Sequence, residues 1–134
     1  MTKALESLAT ATRTPYWTET AGPQPDCPPL QTDTRCDLAI VGGGFTGLWT
    51  ALEARRRMPD ARILLVDAGR CGNAASGRNG GFCAPSISHG IGNAMQRWPK
   101  EAEALFRLGM SNLDDLEADL ATYGMEVEFE RSGK

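Results

Sequence analysis

The chain has 134 residues, with 14 lysines and arginines against 17 aspartates and glutamates and a formal net charge of −3. That balance, with Arg55-Arg56-Arg57 as the sole basic run, argues against a nucleic-acid partner, because no cationic surface of useful size is encoded. No apolar run approaches the length of a membrane span and no apolar segment follows the first lysine as in a secretory leader, so a cytoplasmic protein without a membrane partner is expected.

The length suits one small domain, able to bury roughly two-thirds of its unfolded surface if a core closes. Residues 1–35 read as an N-terminal arm, since Pro23, Pro25, Pro28 and Pro29 oppose regular structure. Two adjacent aromatics, Tyr16 and Trp17, are expected to pack on the domain or on a part of it that is missing, rather than to meet a ligand, because a wholly solvated arm rarely needs them. The four cysteines, Cys27, Cys36, Cys71 and Cys83, form no C-x-x-C pair and have no histidine ladder nearby. Neither a zinc site, a redox dithiol nor a disulfide framework is indicated.

From Leu38 to Asp67 the pattern is that of one βαβ unit. Leu38-Ala39-Ile40-Val41 is a short apolar run suited to a buried parallel strand, and Gly42-Gly43-Gly44-Phe45-Thr46-Gly47 follows at once. Gly42 suits the tight turn, Gly44 lets main chain approach a pyrophosphate, and Gly47 permits close packing of helix on strand. Leu48, Ala51, Leu52 and Arg55 recur at helical spacing and predict a stripe lying on the sheet. Pro59-Asp60 ends that helix, with the arginine run at its negative dipole end. Ile63-Leu64-Leu65-Val66 is the second strand, and Asp67 closes it about twenty residues beyond the last glycine, where the fingerprint places an acid for ribose hydroxyls.

The chemistry of this pattern is donor geometry. Amides in the first turn of a helix have no partner inside it and point at whatever lies in front. Hydrogen bonds to a charged group contribute about 1.5 to 3 kcal/mol each, against about 0.3 to 1 from the helix dipole, so the amides dominate. A carboxylate at Asp67 also selects against a 2′-phosphate, favouring FAD or NAD over NADP.

The stretch from Ala68 to Phe82 is too rich in glycine for a helix interior or a central strand. It suits a loop that wraps a ligand and aims a hydroxyl, an amide and a guanidinium at it, although a plain surface loop has similar composition. His89, the single histidine, has no partner acid or nucleophile in view. From Pro99, placed for a first helical turn, Leu105, Leu108, Leu113, Leu116, Leu120 and Tyr123 predict helix, divided at Gly109 and stopped at Gly124. The carboxylates Glu101, Glu103, Asp114, Asp115, Glu117 and Asp119 fall mostly off that stripe and read as a solvated face rather than acid/base pairs. Met125 to Glu130 alternates and predicts a half-buried strand. The fold class expected is α/β: a Rossmann-like βαβ unit, a glycine-rich loop, a helical segment and the start of a further strand. Two parallel strands leave open edges, so the domain is expected to be incomplete.

At Gly42 to Gly47, Ala51, Asp67 and above all Ala75-Ser76-Gly77-Arg78-Asn79-Gly80-Gly81, the chain resembles the FAD-dependent amine and amino-acid oxidoreductases of the D-amino-acid oxidase superfamily. It is most like the gamma-glutamylputrescine oxidase group, which also tends to carry a Tyr-Trp pair ahead of the first strand. The resemblance implies FAD as cofactor, an amine or amino acid as small-molecule substrate, and hydride transfer to the flavin followed by imine hydrolysis, often with oxygen as acceptor. By position, Gly42, Gly44, Phe45, Thr46 and Gly47 would hold the pyrophosphate, Asp67 the adenosine ribose, and Ser76, Gly77, Arg78, Asn79, Gly80 and Gly81 the far side towards the flavin ring. The family commonly has glutamate where Asp67 stands, and a short glycine turn where Met58-Pro59-Asp60-Ala61 stands. Relatives also run several times longer, so residues 36–134 would be the N-terminal portion of an FAD-binding oxidoreductase domain, without catalytic residues of its own and inactive alone. An NAD-dependent dehydrogenase domain shares the fingerprint, although the Ser76–Gly81 loop is unlike what usually follows there. A truncated, non-catalytic nucleotide-binding module is the other alternative.

Overall fold

The computed structural model describes residues 8–9, 11–12 and 14–132. The chain divides into two compact units, the first running to Gly80 and the second starting at Gly81.

In the first unit a short helix, α1 (Tyr16–Thr20), precedes strand β1 (Leu38–Val41), helix α2 (Phe45–Arg57) and strand β2 (Ile63–Val66), with a 3-10 turn at Ala75–Arg78. The strands pair in parallel with Leu38 opposite Ile63 and Val41 opposite Val66. The ladder is extended at both ends, by Asp37 N–H to the Arg62 carbonyl at 2.9 Å and Gly42 N–H to the Val66 carbonyl at 2.7 Å. Parallel strands need a crossover, and α2 supplies it, packing against both. The mixed helix and strand content with a small parallel sheet is consistent with an incomplete Rossmann-like domain.

Helix α2 stops where a residue before proline disfavours helical dihedrals, at Met58 with φ −132° and ψ 72°. Its last turn is followed by a polar clasp: the Arg55 guanidinium donates to the carbonyls of Pro59 at 2.7 Å and Ala61 at 3.1 Å. Arg56 and Arg57 pair with Glu53 on the exposed side. Of the expected stripe, Ala51 and Leu52 are half-buried, Ala54 is the buried residue, and Leu48 is 45% exposed. A sheet two strands wide covers only part of a helix face. The same shortage shows in the core: among the described residues no large side chain is fully buried, and Val41 is 85% exposed.

Residues 16–20 are helical although the arm was expected to lack regular structure. The Trp17 indole N–H donates to the Asn79 carbonyl at 2.9 Å, which ties this helix to the 3-10 turn. Trp17→Phe removes one neutral hydrogen bond at a partly exposed site and is expected to destabilise the first unit by about 1 kcal/mol or less, read from urea unfolding.

The second unit consists of α3 (Ile91–Arg97) and α4 (Ala102–Thr122). Helix α3 is an element that the glycine-rich surroundings concealed, although Ile91, Met95 and Trp98 have helical spacing. Its entry is built from small polar residues: Gly90 N–H donates to Ser86 Oγ at 2.5 Å and Asn93 Nδ2 donates to the Ser88 carbonyl at 2.6 Å. His89 adopts φ 57° in that turn, a region in which histidine is several-fold enriched among non-glycine residues.

Helix α4 departs from expectation at two points. It begins at Ala102 with Glu101 as N-cap, so Pro99 lies in the preceding turn rather than in the first helical turn. It also runs unbroken through Gly109, because that glycine is buried where a Cβ would collide with the Pro85 carbonyl oxygen. A backbone atom cannot yield cheaply, so Gly109→Ala is expected to cost about 1 to 3 kcal/mol of the second unit's stability, measured by thermal unfolding. The C-terminus does end as the sequence implies, with Gly124 at φ 59°. Met125 N–H reaches the Leu120 carbonyl at 2.9 Å and Gly124 N–H the Ala121 carbonyl at 3.2 Å, the two bonds of a Schellman motif.

The strand expected at Met125–Glu130 is absent. These residues pair with no other strand among the described residues, and Phe129 N–H turns back to the Val127 carbonyl at 2.7 Å. Alternation encodes a two-faced surface but no ladder partner. The tail is held instead by Arg131, which donates to Asp114 at 2.7 Å and Glu117 at 2.8 Å on the solvated face of α4.

Candidate cofactor-binding site

The end of β1 opens directly into the turn that starts α2. Gly42 has φ 106°, a left-handed conformation that side-chain-bearing residues rarely adopt. The next peptide is held from behind, where the buried Gly43 N–H donates to Asp67 Oδ2 at 2.7 Å. Gly44 is the N-cap, with no side-chain cap of its own. Phe45 N–H donates to Ser76 Oγ at 2.9 Å. Gly44, Thr46 and Gly47 N–H have no acceptor among the described residues, and the first regular bond of the helix is Leu48 N–H to the Gly44 carbonyl at 3.0 Å. Gly47 is fixed by contact: a Cβ there would collide with the Gly42 carbonyl oxygen.

An open groove of about 430 Å³ lies over this turn, lined by Ile40, Val41, Gly42, Gly44, Phe45, Thr46, Gly47, Thr50 and Ser76. It combines bare main chain, helix-start amides without an acceptor among the described residues, and one hydroxyl. Anions are bound by such a donor set without any cationic side chain. At Gly44 an added Cβ would lie 2.9 Å from Ser76 Oγ, within the space between turn and loop. The turn therefore has the cradle a diphosphate requires, and the residues present fit that part of FAD.

Asp67 follows β2 directly, and both of its carboxylate oxygens accept main-chain amides. Its Oδ2 takes Gly43 N–H and its Oδ1 takes Gly69 N–H at 2.8 Å. The Gly43 amide first, and the Gly69 amide second, hold the carboxyl below its ordinary pKa, against a smaller opposing effect of burial. Each carboxylate oxygen keeps a lone pair for a hydroxyl. Because the folded carboxyl titrates below the unfolded one, its stabilising contribution is complete above the ordinary range near 3.8 and fades as pH falls through the depressed value. In an NMR titration the Gly43 and Gly69 amides should move together in acid and show no step near neutrality.

Of the expected far-side residues, Ser76 alone reaches the groove. Gly77 packs its missing side chain against the Gly72 carbonyl, and Asn79 Nδ2 donates to the Ser76 carbonyl. Arg78, Asn79 and Gly80 are exposed and do not line the groove, whereas Gly81 belongs to the second unit. Two contributors were missed by sequence reasoning: Gly69, whose amide holds Asp67, and Gly72, whose N–H donates to the Gly43 carbonyl at 2.8 Å. For Gly72 a signal existed. The spacing from Gly72 to Gly77 repeats that from Gly42 to Gly47, and in both pairs the second glycine lies against the carbonyl of the first.

Among the described residues no group of three or more His, Cys, Asp and Glu could hold a metal ion, and no helix is long and apolar enough to cross a membrane.

Residues 37–134 match the family described as FAD dependent oxidoreductase. The chain is 38% identical over 88 residues to an oxidoreductase named OrdL from Rhizobium meliloti, covering 65% of this chain and 18% of the relative. It is 25% identical over 105 residues to OrdL of Haemophilus influenzae, covering 78% and 24% respectively. It is 42% identical over 62 residues to gamma-glutamylputrescine oxidoreductase of Escherichia coli, covering 46% of this chain and 14% of that protein. In each case the match spans less than a quarter of the relative's length. No solved structure matches.

Proposed function

The chain belongs to the family of FAD-dependent oxidoreductases, and we propose that it forms the N-terminal cofactor-binding part of an enzyme that oxidises the carbon–nitrogen bond of an amine or amino acid. The observation that carries the cofactor half of this reading is the turn at Gly42–Gly47, where Thr46 and Gly47 offer unpaired amides over a glycine surface. The likeness to a protein named for gamma-glutamylputrescine supports an amine as substrate.

In this role Gly42, Gly44 and Gly47 bring main chain up to the diphosphate, the Thr46 and Gly47 amides and the Ser76 hydroxyl donate to it, and Asp67 borders the ribose. When bound, the flavin supplies the hydride acceptor, a chemistry that belongs to the ring system and that the protein only places and shields. Overall, the amine gives up a hydride from carbon and a proton from nitrogen, water hydrolyses the resulting imine, and oxygen takes the two electrons. No residue of this chain is assigned to the substrate.

The test compares the 134-residue chain with the polypeptide extended past Lys134 along its reading frame. The extended protein should purify yellow and consume oxygen when an amine is added, whereas the 134-residue chain should show no steady turnover. Sustained amine oxidation by the chain alone would contradict its assignment as a partial domain. An extended protein that binds NAD and ignores FAD would contradict the cofactor.

A further inference from the structure

Gly44 lies between two amides that are each held by a side chain from outside the turn. On one side Gly43 N–H donates to Asp67 Oδ2 at 2.7 Å, and on the other Phe45 N–H donates to Ser76 Oγ at 2.9 Å. Asp67 is itself braced, because its second oxygen takes the Gly69 amide at 2.8 Å. The loop that carries Ser76 is joined to the same turn by Gly72 N–H to the Gly43 carbonyl at 2.8 Å. Three successive glycines would otherwise sample many backbone states, and ordering each of them costs conformational entropy. If that cost fell due only when the ligand arrived, affinity would drop by the fraction of time the turn is misshapen.

We propose that Asp67 and Ser76 are positioning residues that hold the turn around Gly44 in its diphosphate-binding shape before any nucleotide arrives, and that Asp67 acts on the nucleotide chiefly through this turn rather than through the ribose hydroxyls. The inference rests on the reading that the groove takes FAD. The division of labour follows from the donors. Asp67 and Ser76 take the Gly43 and Phe45 amides, which leaves Gly44, Thr46 and Gly47 N–H for the ligand. Ser76 loses nothing by accepting, since a hydroxyl that accepts one bond still donates its own hydrogen into the groove it lines. Such a chain of hydrogen bonds polarises in one direction and strengthens the outermost donor. The lowered carboxyl pKa of Asp67 agrees with its amide contacts, which favour the charged form.

Two measurements on the chain decide the matter, the first without any ligand. Amide hydrogen exchange is followed at Gly43, Gly69 and Phe45 in the wild type, Asp67→Ala, Asp67→Asn and Ser76→Ala. Asp67→Ala should speed exchange at Gly43 and Gly69 by at least about tenfold, and also at Phe45, whose own partner is untouched. Asp67→Asn, which keeps one acceptor oxygen, should show a smaller change in the same direction. Unaltered exchange at Phe45 in Asp67→Ala would mean that the two contacts are independent, and the turn is not held as a unit.

The second measurement compares ADP with adenosine as probes by calorimetry. A ribose contact is common to both, whereas the diphosphate cradle serves ADP alone. Asp67→Ala should weaken ADP by at least about tenfold more than adenosine. Equal losses for the two would overturn the inference and return Asp67 to the ribose. If the wild type binds neither probe, the cofactor reading fails, while the exchange data still settle whether Asp67 and Ser76 hold the turn.

Discussion

Gly44→Val is expected to leave the protein folded but without flavin. A Cβ at this position would sit 2.9 Å from Ser76 Oγ, and the two methyl groups beyond it would stand in the space that the diphosphate needs. The ligand would then lose its approach to the Thr46 and Gly47 amides at the helix start, which have no acceptor among the described residues. With about 1.5 to 3 kcal/mol at stake for each bond to a charged group, FAD affinity should fall by at least about a hundredfold. Quenching of flavin fluorescence in the extended protein measures it, with far-UV circular dichroism as the check that α2 persists. A Gly44→Val protein that loads FAD as fully as the wild type would show that the diphosphate does not approach this turn.

Gly47→Ala should damage the fold before it damages binding. Its Cβ would collide with the Gly42 carbonyl oxygen, and the main chain that carries each atom is fixed by β1 on one side and α2 on the other. Relief requires α2 to slide away from the sheet, which strips cover from Ile40 and Ala54, both buried in the first unit. Overpacking against backbone is expected to cost about 3 kcal/mol, a loss large enough to lower the urea midpoint visibly in a unit with so small a core. An unchanged midpoint would mean that helix and strand are not in contact at this point.

The contrast between these two glycines bears on how much the sequence reveals. The βαβ unit was legible because each of its signals is local: two apolar runs, glycines in the turn between, and a pre-proline stop at Met58. The end of α4 was legible for the same reason, with Gly124 placed for a left-handed residue. Contacts between distant residues were not. The position of Asp67 after the second strand implies a ribose acceptor, and nothing in its spacing indicates that its oxygens hold the Gly43 and Gly69 amides. Ser76 was expected beside the ligand, but its bond to the Phe45 amide depends on how the loop folds back.

Two errors have a common physical source. The alternation at Met125–Glu130 describes a surface with one apolar face, and so does the stripe through Leu48 on α2. In each case the pattern specifies which side seeks cover without saying what supplies it. Val127 is 57% exposed and Leu48 45% exposed. Gly109 fails in the opposite sense. Helix propensity marks it as a weak point, yet packing against Pro85 makes it the one residue that fits.

The most direct test follows the backbone amides themselves. In the extended protein, labelled with nitrogen-15 and titrated with FAD, the Thr46 and Gly47 amide resonances should shift most strongly. They should lose that response in Gly44→Val. If FAD binds while these two amides stay unmoved, the diphosphate lies elsewhere and the turn at Gly42–Gly47 is not its seat.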